Sequence, residues 1–246
     1  MSGDDVLDPT TLIFAVAIAA AAGTVRGITG FGGAMVMSPP LALLLGPRVT
    51  VPVVLLLESV IAAPMLWQTR RLVDVRIVGA ILIAACISVP LGVRVLAVAD
   101  PGVMRNVIAL TVIVFSLLLL LGWRYAGKPR LATSLGLGAL SGTMLGATSV
   151  GGPPVILYLL SGPDPVETTR ANLTLYVTVT SMMGIAMLVQ QRIFDANAAW
   201  TSLWLAPAYY VGLIAGIRLF PRFNEARFRR FTLAILIVVS GGILLA

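Results

Sequence analysis

The sequence predicts an all-α integral membrane protein made of two inverted repeats of about five hydrophobic segments each. The first pair of segments in each repeat is broken by a Gly/Pro-rich motif. Composition, an internal duplication and the placement of the basic residues carry that prediction. Of the 246 residues, 59% are apolar and only 11% charged, and the mean hydropathy is +1.01. A water-soluble domain typically carries about 25% charged residues, so this chain lacks the charge to cover a water-facing surface. Long apolar blocks, such as 103–123 and 231–246, approach the roughly 20 residues a helix needs to cross a hydrocarbon core.

The duplication has a period near 120 residues. Gly23, Thr24, Gly27, Thr29, Gly32, Gly33 and Val36 recur as Gly142, Thr143, Gly146, Thr148, Gly151, Gly152 and Val155, all at an offset of 119. Arg48 matches Arg170, Arg71 and Asp74 match Arg192 and Asp195, and Gly92 and Arg94 match Gly216 and Arg218. Arg105 with Arg229 and Ser116 with Ser240 complete the series. Ordered matches of Gly, Arg and Asp are far less frequent by chance than matches among apolar residues, so the repeat is a real unit of organisation. It divides the chain into a first repeat over 1–124 and a second over 131–246.

Each repeat then has the same parts in the same order. A first apolar segment (about 10–27; about 131–146) runs into a Gly-rich break, and a short segment follows (about 34–46; about 153–162). Three longer segments complete the first repeat at about 49–67, 76–98 and 104–123. Their counterparts lie at about 171–189, 197–219 and 229–246. The short segments rise only about 20 Å, too little to span alone. They either continue one crossing or turn back as a hairpin, and the choice changes the side of every later loop. With hairpins, Arg70, Arg71 and Arg76, then Arg124, Lys128 and Arg130, then Arg222, Arg227, Arg229 and Arg230 fall on one side. Arg48, Arg105, Arg192 and the acidic N-terminal residues fall on the other. The hairpin satisfies the excess of Lys/Arg on the cytoplasmic side, and its odd parity per repeat inverts the second repeat relative to the first. Inverted repeats interrupted at matching positions point to a secondary transporter with its site at the breaks.

The breaks read Thr24-Val-Arg-Gly-Ile-Thr-Gly-Phe-Gly-Gly33 and Thr143-Met-Leu-Gly-Ala-Thr-Ser-Val-Gly-Gly-Pro-Pro154. Irregular backbone at membrane depth is tolerable only where protein buries it or it lines a wet cavity. A helix that restarts there offers free N–H groups and the positive end of its dipole, which suits an anion. The candidate substrate-binding residues are therefore Arg26, Thr29, Gly30, Phe31, Gly32, Gly33, Thr148, Ser149, Val150, Gly151, Gly152 and Pro153. Asn172 joins them as a polar candidate for the cavity wall, alongside Thr178, Thr180 and Gln68. The upstream glycines Gly23, Gly27, Gly138, Gly142 and Gly146 have the small-xxx-small spacing of close helix packing. Glu58 lies mid-segment, where a carboxylate is costly unless paired or titrating. It is the proton-coupling candidate, and pairing with an Arg is the open alternative. Arg94 and Arg218 lie near enough to segment ends to snorkel.

Other classes are excluded or disfavoured. The net charge of +7 comes from Arg in short loops, so nucleic acid is not an expected partner. The expected partners are a small anionic substrate and the lipid bilayer. One Cys and no His leave no Cys-based or His-based metal site, no disulfide and no Ser–His dyad, so neither a metal, a cofactor nor an enzyme activity is expected. Residues 1–8 carry three Asp and no basic stretch, unlike a cleaved signal peptide. Thr29-Gly-Phe-Gly32 echoes a potassium filter, but that filter needs four equivalent copies.

At the breaks the sequence resembles a known family. Arg26-Gly-Ile-Thr-Gly-Phe-Gly-Gly-Ala34 with Pro39, together with Gly146-Ala-Thr-Ser-Val-Gly-Gly-Pro-Pro154, is similar to the paired signature of the sulfite/organosulfonate exporters. That family is called TauE/SafE-like, or the toluene sulfonate uptake permeases. Ala34 stands where its first motif commonly has a third consecutive Gly. The resemblance covers essentially the whole chain. It implies a multi-pass protein of the bacterial inner membrane that transports sulfite, sulfonates or related oxyanions with the proton gradient. An anion channel or a carrier for small carboxylates is the alternative. After replacement of Cys86, single cysteines at Gln68, Gly127 and Asn224 are expected to label from the cytoplasm alone; any two labelled from opposite faces would break the inverted arrangement.

Overall fold

The structure is a computed structural model, and it describes residues 8–123, 125, 130–162, 165–219 and 225–245. Arg124, Lys128 and Arg222, the labelling positions Gly127 and Asn224, and the acidic Asp4 and Asp5 lie outside the described residues. The described chain is helical: α1 Pro9–Thr29, α2 Gly33–Leu45, α3 Pro47–Thr69, α4 Val75–Val98, α5 Pro101–Leu120, α6 Leu131–Thr148, α7 Gly152–Leu159, α8 Val166–Gln190, α9 Ala196–Leu219 and α10 Glu225–Leu245. These bounds fall within a few residues of the expected segments. Asp-Pro pairs start two of them. The carboxylates of Asp8 and Asp100 accept from the N–H groups of the first turns of α1 and α5, and Pro9 and Pro101 have no N–H to orphan.

Among the described residues, seven helices are long and apolar enough to cross a membrane: α1, α3, α4, α5, α8, α9 and α10. Side chains such as Ile87, Val98, Leu110 and Val238 are exposed on the outside of the bundle, as expected for a lipid-facing surface. The central pair is α3 with α8. Buried residues make up 61% and 50% of their spanning windows, against 22–33% in the other five.

The short helices turn back. The Tyr158 hydroxyl of α7 lies 2.9 Å from the Ser134 hydroxyl near the start of α6. Had α7 continued along α6, those residues would be about 35 Å apart. Likewise Val36 of α2 shares a cavity of about 20 Å³ with Val25 of α1, and Met37 and Leu41 pack in one cluster with Ala15, Ala19 and Ala22. Each break is thus the tip of a hairpin. The loops sort accordingly. At one end Arg48 donates to the Ala97 carbonyl at 2.7 Å, and Leu96, Met104, Leu188 and Ile193 cluster nearby. At the other, Asn172 accepts from the Asp74 N–H at 2.8 Å and Tyr125 N–H donates to Ser161 at 2.8 Å. The exposed Arg70, Arg71 and Arg76 belong to this second end.

The tightest helix pairings are α1 with α9 and α4 with α6; α3 with α8 and α5 with α10 follow. The first two pairings are closed by the expected packing glycines. A Cβ on Gly27 would meet the Leu213 carbonyl and lie 2.8 Å from the Ile217 nitrogen, and one on Gly146 would meet the Val89 carbonyl and lie 2.8 Å from the Val93 nitrogen. Backbone cannot yield as a flexible side chain can. Gly27→Ala and Gly146→Ala are therefore expected to lower stability by about 1–3 kcal/mol. Gly136→Ala and Gly241→Ala, which meet open space, should stay within about 1 kcal/mol. Thermal unfolding of the purified variants in detergent checks both halves of this contrast.

Candidate functional site

The hairpin tips are built by residues that let the backbone reverse. Gly30 and Gly32 take φ of 77° and 88°, and Ser149 sits at 60° although it carries a side chain. Left-handed backbone is cheap for Gly and costs a β-carbon-bearing residue more, so the Ser149 conformation is enforced by its surroundings. Its hydroxyl lies 2.8 Å from that of Ser38 in α2, a bond that joins the second break to the first hairpin. The Thr29 hydroxyl lies 2.8 Å from the Val25 carbonyl oxygen and 2.6 Å from that of Phe31, holding the first tip closed. Thr148 does the same at the second, donating to Met144 at 2.7 Å and accepting from the Val150 N–H at 3.2 Å.

Between the tips lies a buried ion pair. Arg26 Nη1 from the last turns of α1 is 2.7 Å from Glu58 Oε2 of α3, with side-chain exposures of 5% and 4%. The other carboxylate oxygen accepts from the Tyr209 hydroxyl of α9 at 2.6 Å. Gly33, the first residue of α2, sits directly against this group. A Cβ there would collide with Tyr209 Oη and Glu58 Oε1 and lie 3.3 Å from Arg26 Cδ. Four elements therefore converge on one charged cluster, and glycine is the residue that lets the fourth approach.

A cavity of about 40 Å³ opens beside the cluster. Arg26, Phe31, Gly32, Ser149, Val150, Gly152, Pro153 and Glu58 line it, so both breaks contribute wall. Met35, Leu145, Ile156 and Val177 make the rest apolar, with Ser181 as a further hydroxyl. The remaining candidates are placed elsewhere. Thr29 and Thr148 spend their hydroxyls on their own tips, Gly33 packs on the ion pair, and Gly151 packs on Leu145 with its carbonyl bonded to Ser141. Gly30 faces a second cavity next to Arg170. Asn172 ties the α3–α4 loop to α8 and does not line the inner cavity. Pro153 and Pro154 also remove two donors from the first turn of α7, so its N-terminus offers less to an anion than that of α2.

Sequence reasoning missed Tyr209, Ser38 and Ser181. Tyr209 adjoins Tyr210, and nothing in the sequence says which ring faces inward. In the structure Tyr209 is buried and Tyr210 is exposed.

Membrane-spanning helices on all sides, two interrupted hairpins meeting at a small charged cavity and an apolar outer surface define a multi-pass membrane transporter. The sulfite exporter TauE/SafE family model matches residues 15–243 of the chain. The chain belongs to that family, as its paired Gly-rich motifs led one to expect, and the family is one of membrane transporters. No curated protein and no solved structure matches it.

Removing one partner of a buried ion pair strands the other charge, at a cost of about 3–5 kcal/mol. Arg26→Met alone is therefore expected to destabilise strongly, while Arg26→Met with Glu58→Met recovers most of the loss. Denaturation midpoints of the two singles and the double form the test, and a double mutant as unstable as the sum of the singles would contradict the pairing.

Proposed function

We propose that this protein is a proton-coupled secondary transporter that moves small oxyanions (sulfite, sulfonates or related organosulfur anions) across the bacterial inner membrane. The observation that carries the reading is the buried Arg26–Glu58 pair in the wall of a cavity built by both helix breaks. The pair is formally neutral. An anion entering beside it would leave one uncompensated negative charge in a desolvated site, which is costly. Uptake of a proton by Glu58 removes that charge and frees the Arg26 guanidinium for the anion. The N–H groups of α2's first turn supply further donors, while the Ser149 hydroxyl, bonded to the Thr148 carbonyl and to Ser38, shapes the wall. Tyr209 keeps the protonated carboxyl anchored to α9 while its contact with α1 exchanges. Thr29, Thr148, Gly30, Gly33 and Gly151 shape and hold the tips, and their contribution to binding is through that shape.

The two halves, 1–124 and 131–246, act in this reading as inverted repeats. The helix pairings support it. Exchanging the halves turns α1 with α9 into α6 with α4, and leaves α3 with α8 and α5 with α10 unchanged. The end that carries Arg70, Arg71 and Arg76 is the cytoplasmic one under the positive-inside rule.

In proteoliposomes, Glu58→Gln is expected to retain binding of sulfite or a sulfonate and to lose the dependence of transport on an imposed pH gradient. A wild-type pH profile in Glu58→Gln would make Glu58 a structural partner only and end the coupling proposal. Thermal stabilisation of the purified protein across sulfite, sulfonates, sulfate and small carboxylates tests the substrate class; stabilisation by carboxylates alone would favour the carboxylate carrier.

A further inference from the structure

The geometry points to a second anion site, a vestibule in series with the inner cavity, in which Arg26 and Arg170 hold a small oxyanion before it reaches Glu58. A cavity of about 250 Å³ lies between α1, α3, α8 and α9, at the end of the bundle that carries the basic α3–α4 loop. Arg26 lines both this cavity and the inner one, so the two spaces meet at its side chain. Arg170 stands on the opposite wall beside the left-handed Gly30, where even an added Cβ would lie 3.6 Å from its Nε.

Three features fit this space to an anion. Two arginines, Arg26 and Arg170, line it together with Gly27, Ile28, Met65, Leu213 and Ile217, with no carboxylate in the wall among the described residues. The Thr174 hydroxyl donates to the Arg170 carbonyl at 2.8 Å and so braces the turn that carries Arg170. Arg26, only 4% exposed, has a buried Nε with no hydrogen-bond partner while its Nη1 is engaged by Glu58. A buried charged donor left unmade is expensive, and a small shift of the Arg26 side chain as an oxyanion enters the vestibule would bring that Nε, closed off in this conformation, to an acceptor. Arg170 has a further interaction of its own, and a guanidinium carries five donors over which an anion and another partner can be shared. The exposed Arg70, Arg71 and Arg76 at the same end add a positive field that raises the local anion concentration.

The vestibule is distinct from the transport site proposed above, although both use Arg26, so the test must separate them. The probe is radiolabelled sulfite, bound at equilibrium to the full-length protein in nanodiscs. Wild type should bind two equivalents per chain. Arg170→Gln, and independently Met65→Trp, which fills the vestibule, should each bind one. In proteoliposomes both should raise KM for uptake from the vestibule side about tenfold with an unchanged maximal rate. Val177→Phe, which fills the inner cavity, should lose the other equivalent. Fewer than two equivalents in wild type overturns the vestibule site. So does retention of both equivalents by Arg170→Gln and Met65→Trp. If those two variants lose one equivalent while Val177→Phe keeps two, the inner-cavity reading falls and the vestibule stands.

Discussion

A guanidinium and a carboxylate placed side by side inside an apolar bundle give up their hydration and must recover it from each other and from protein donors. In this protein the recovery is specific: Arg26 on one carboxylate oxygen of Glu58, the Tyr209 hydroxyl on the other. The three side chains come from α1, α3 and α9, so the pair fixes how those helices lie against one another. Glycine makes that possible twice over. Gly23 and Gly27 bring α1 onto the backbone of α9, and Gly33 lets α2 start against the charges themselves. A larger side chain at any of these positions would open the cluster to its surroundings and weaken the electrostatics that hold it.

The hairpins solve a related problem. Unwound backbone in a membrane must be enclosed by protein. Each tip is enclosed by its own threonine, by the opposite hairpin through Ser38 and Ser149, and by the central helices. What is left between the tips is a small space lined by the charged pair, two serines and otherwise apolar residues. A polar contact made in such a low-dielectric space is worth more than the same contact in water.

The charged equipment is not shared between the halves. In the register of the duplication, the counterpart of Arg26 is Leu145 and that of Tyr209 is Ala85, while the breaks themselves recur in both halves. Both Leu145 and Arg26 face the inner cavity. The Gly-rich breaks thus recur in sequence while Arg26 and Tyr209 do not. Arg26 and Glu58 come from the first half, and the second places Tyr209 on the carboxylate and the uncharged Leu145, Ser149 and Val150 around the inner cavity.

By itself the sequence determined the membrane class, the helical segments and the two breaks, and it raised the expectation of a duplication with hairpins. These follow from local features: the length of apolar runs, Gly and Pro where helices stop, and Arg in loops that must stay out of the lipid. It also singled out Glu58 and Arg26, because an ionisable residue in an apolar run stands out without any knowledge of its neighbours. It left open whether Glu58 was paired, since Arg26 lies thirty-two residues away on another helix, and it missed Tyr209, whose inward direction depends on how α9 is rotated. It grouped Thr29, Thr148 and Asn172 with the cavity because polar groups near a break read alike in one dimension. Only the tertiary structure decided which of them turn to their own backbone, which tie a loop, and which face the space between the tips. Those choices depend on helix rotation and on contacts between segments far apart in the chain, and no local pattern encodes them.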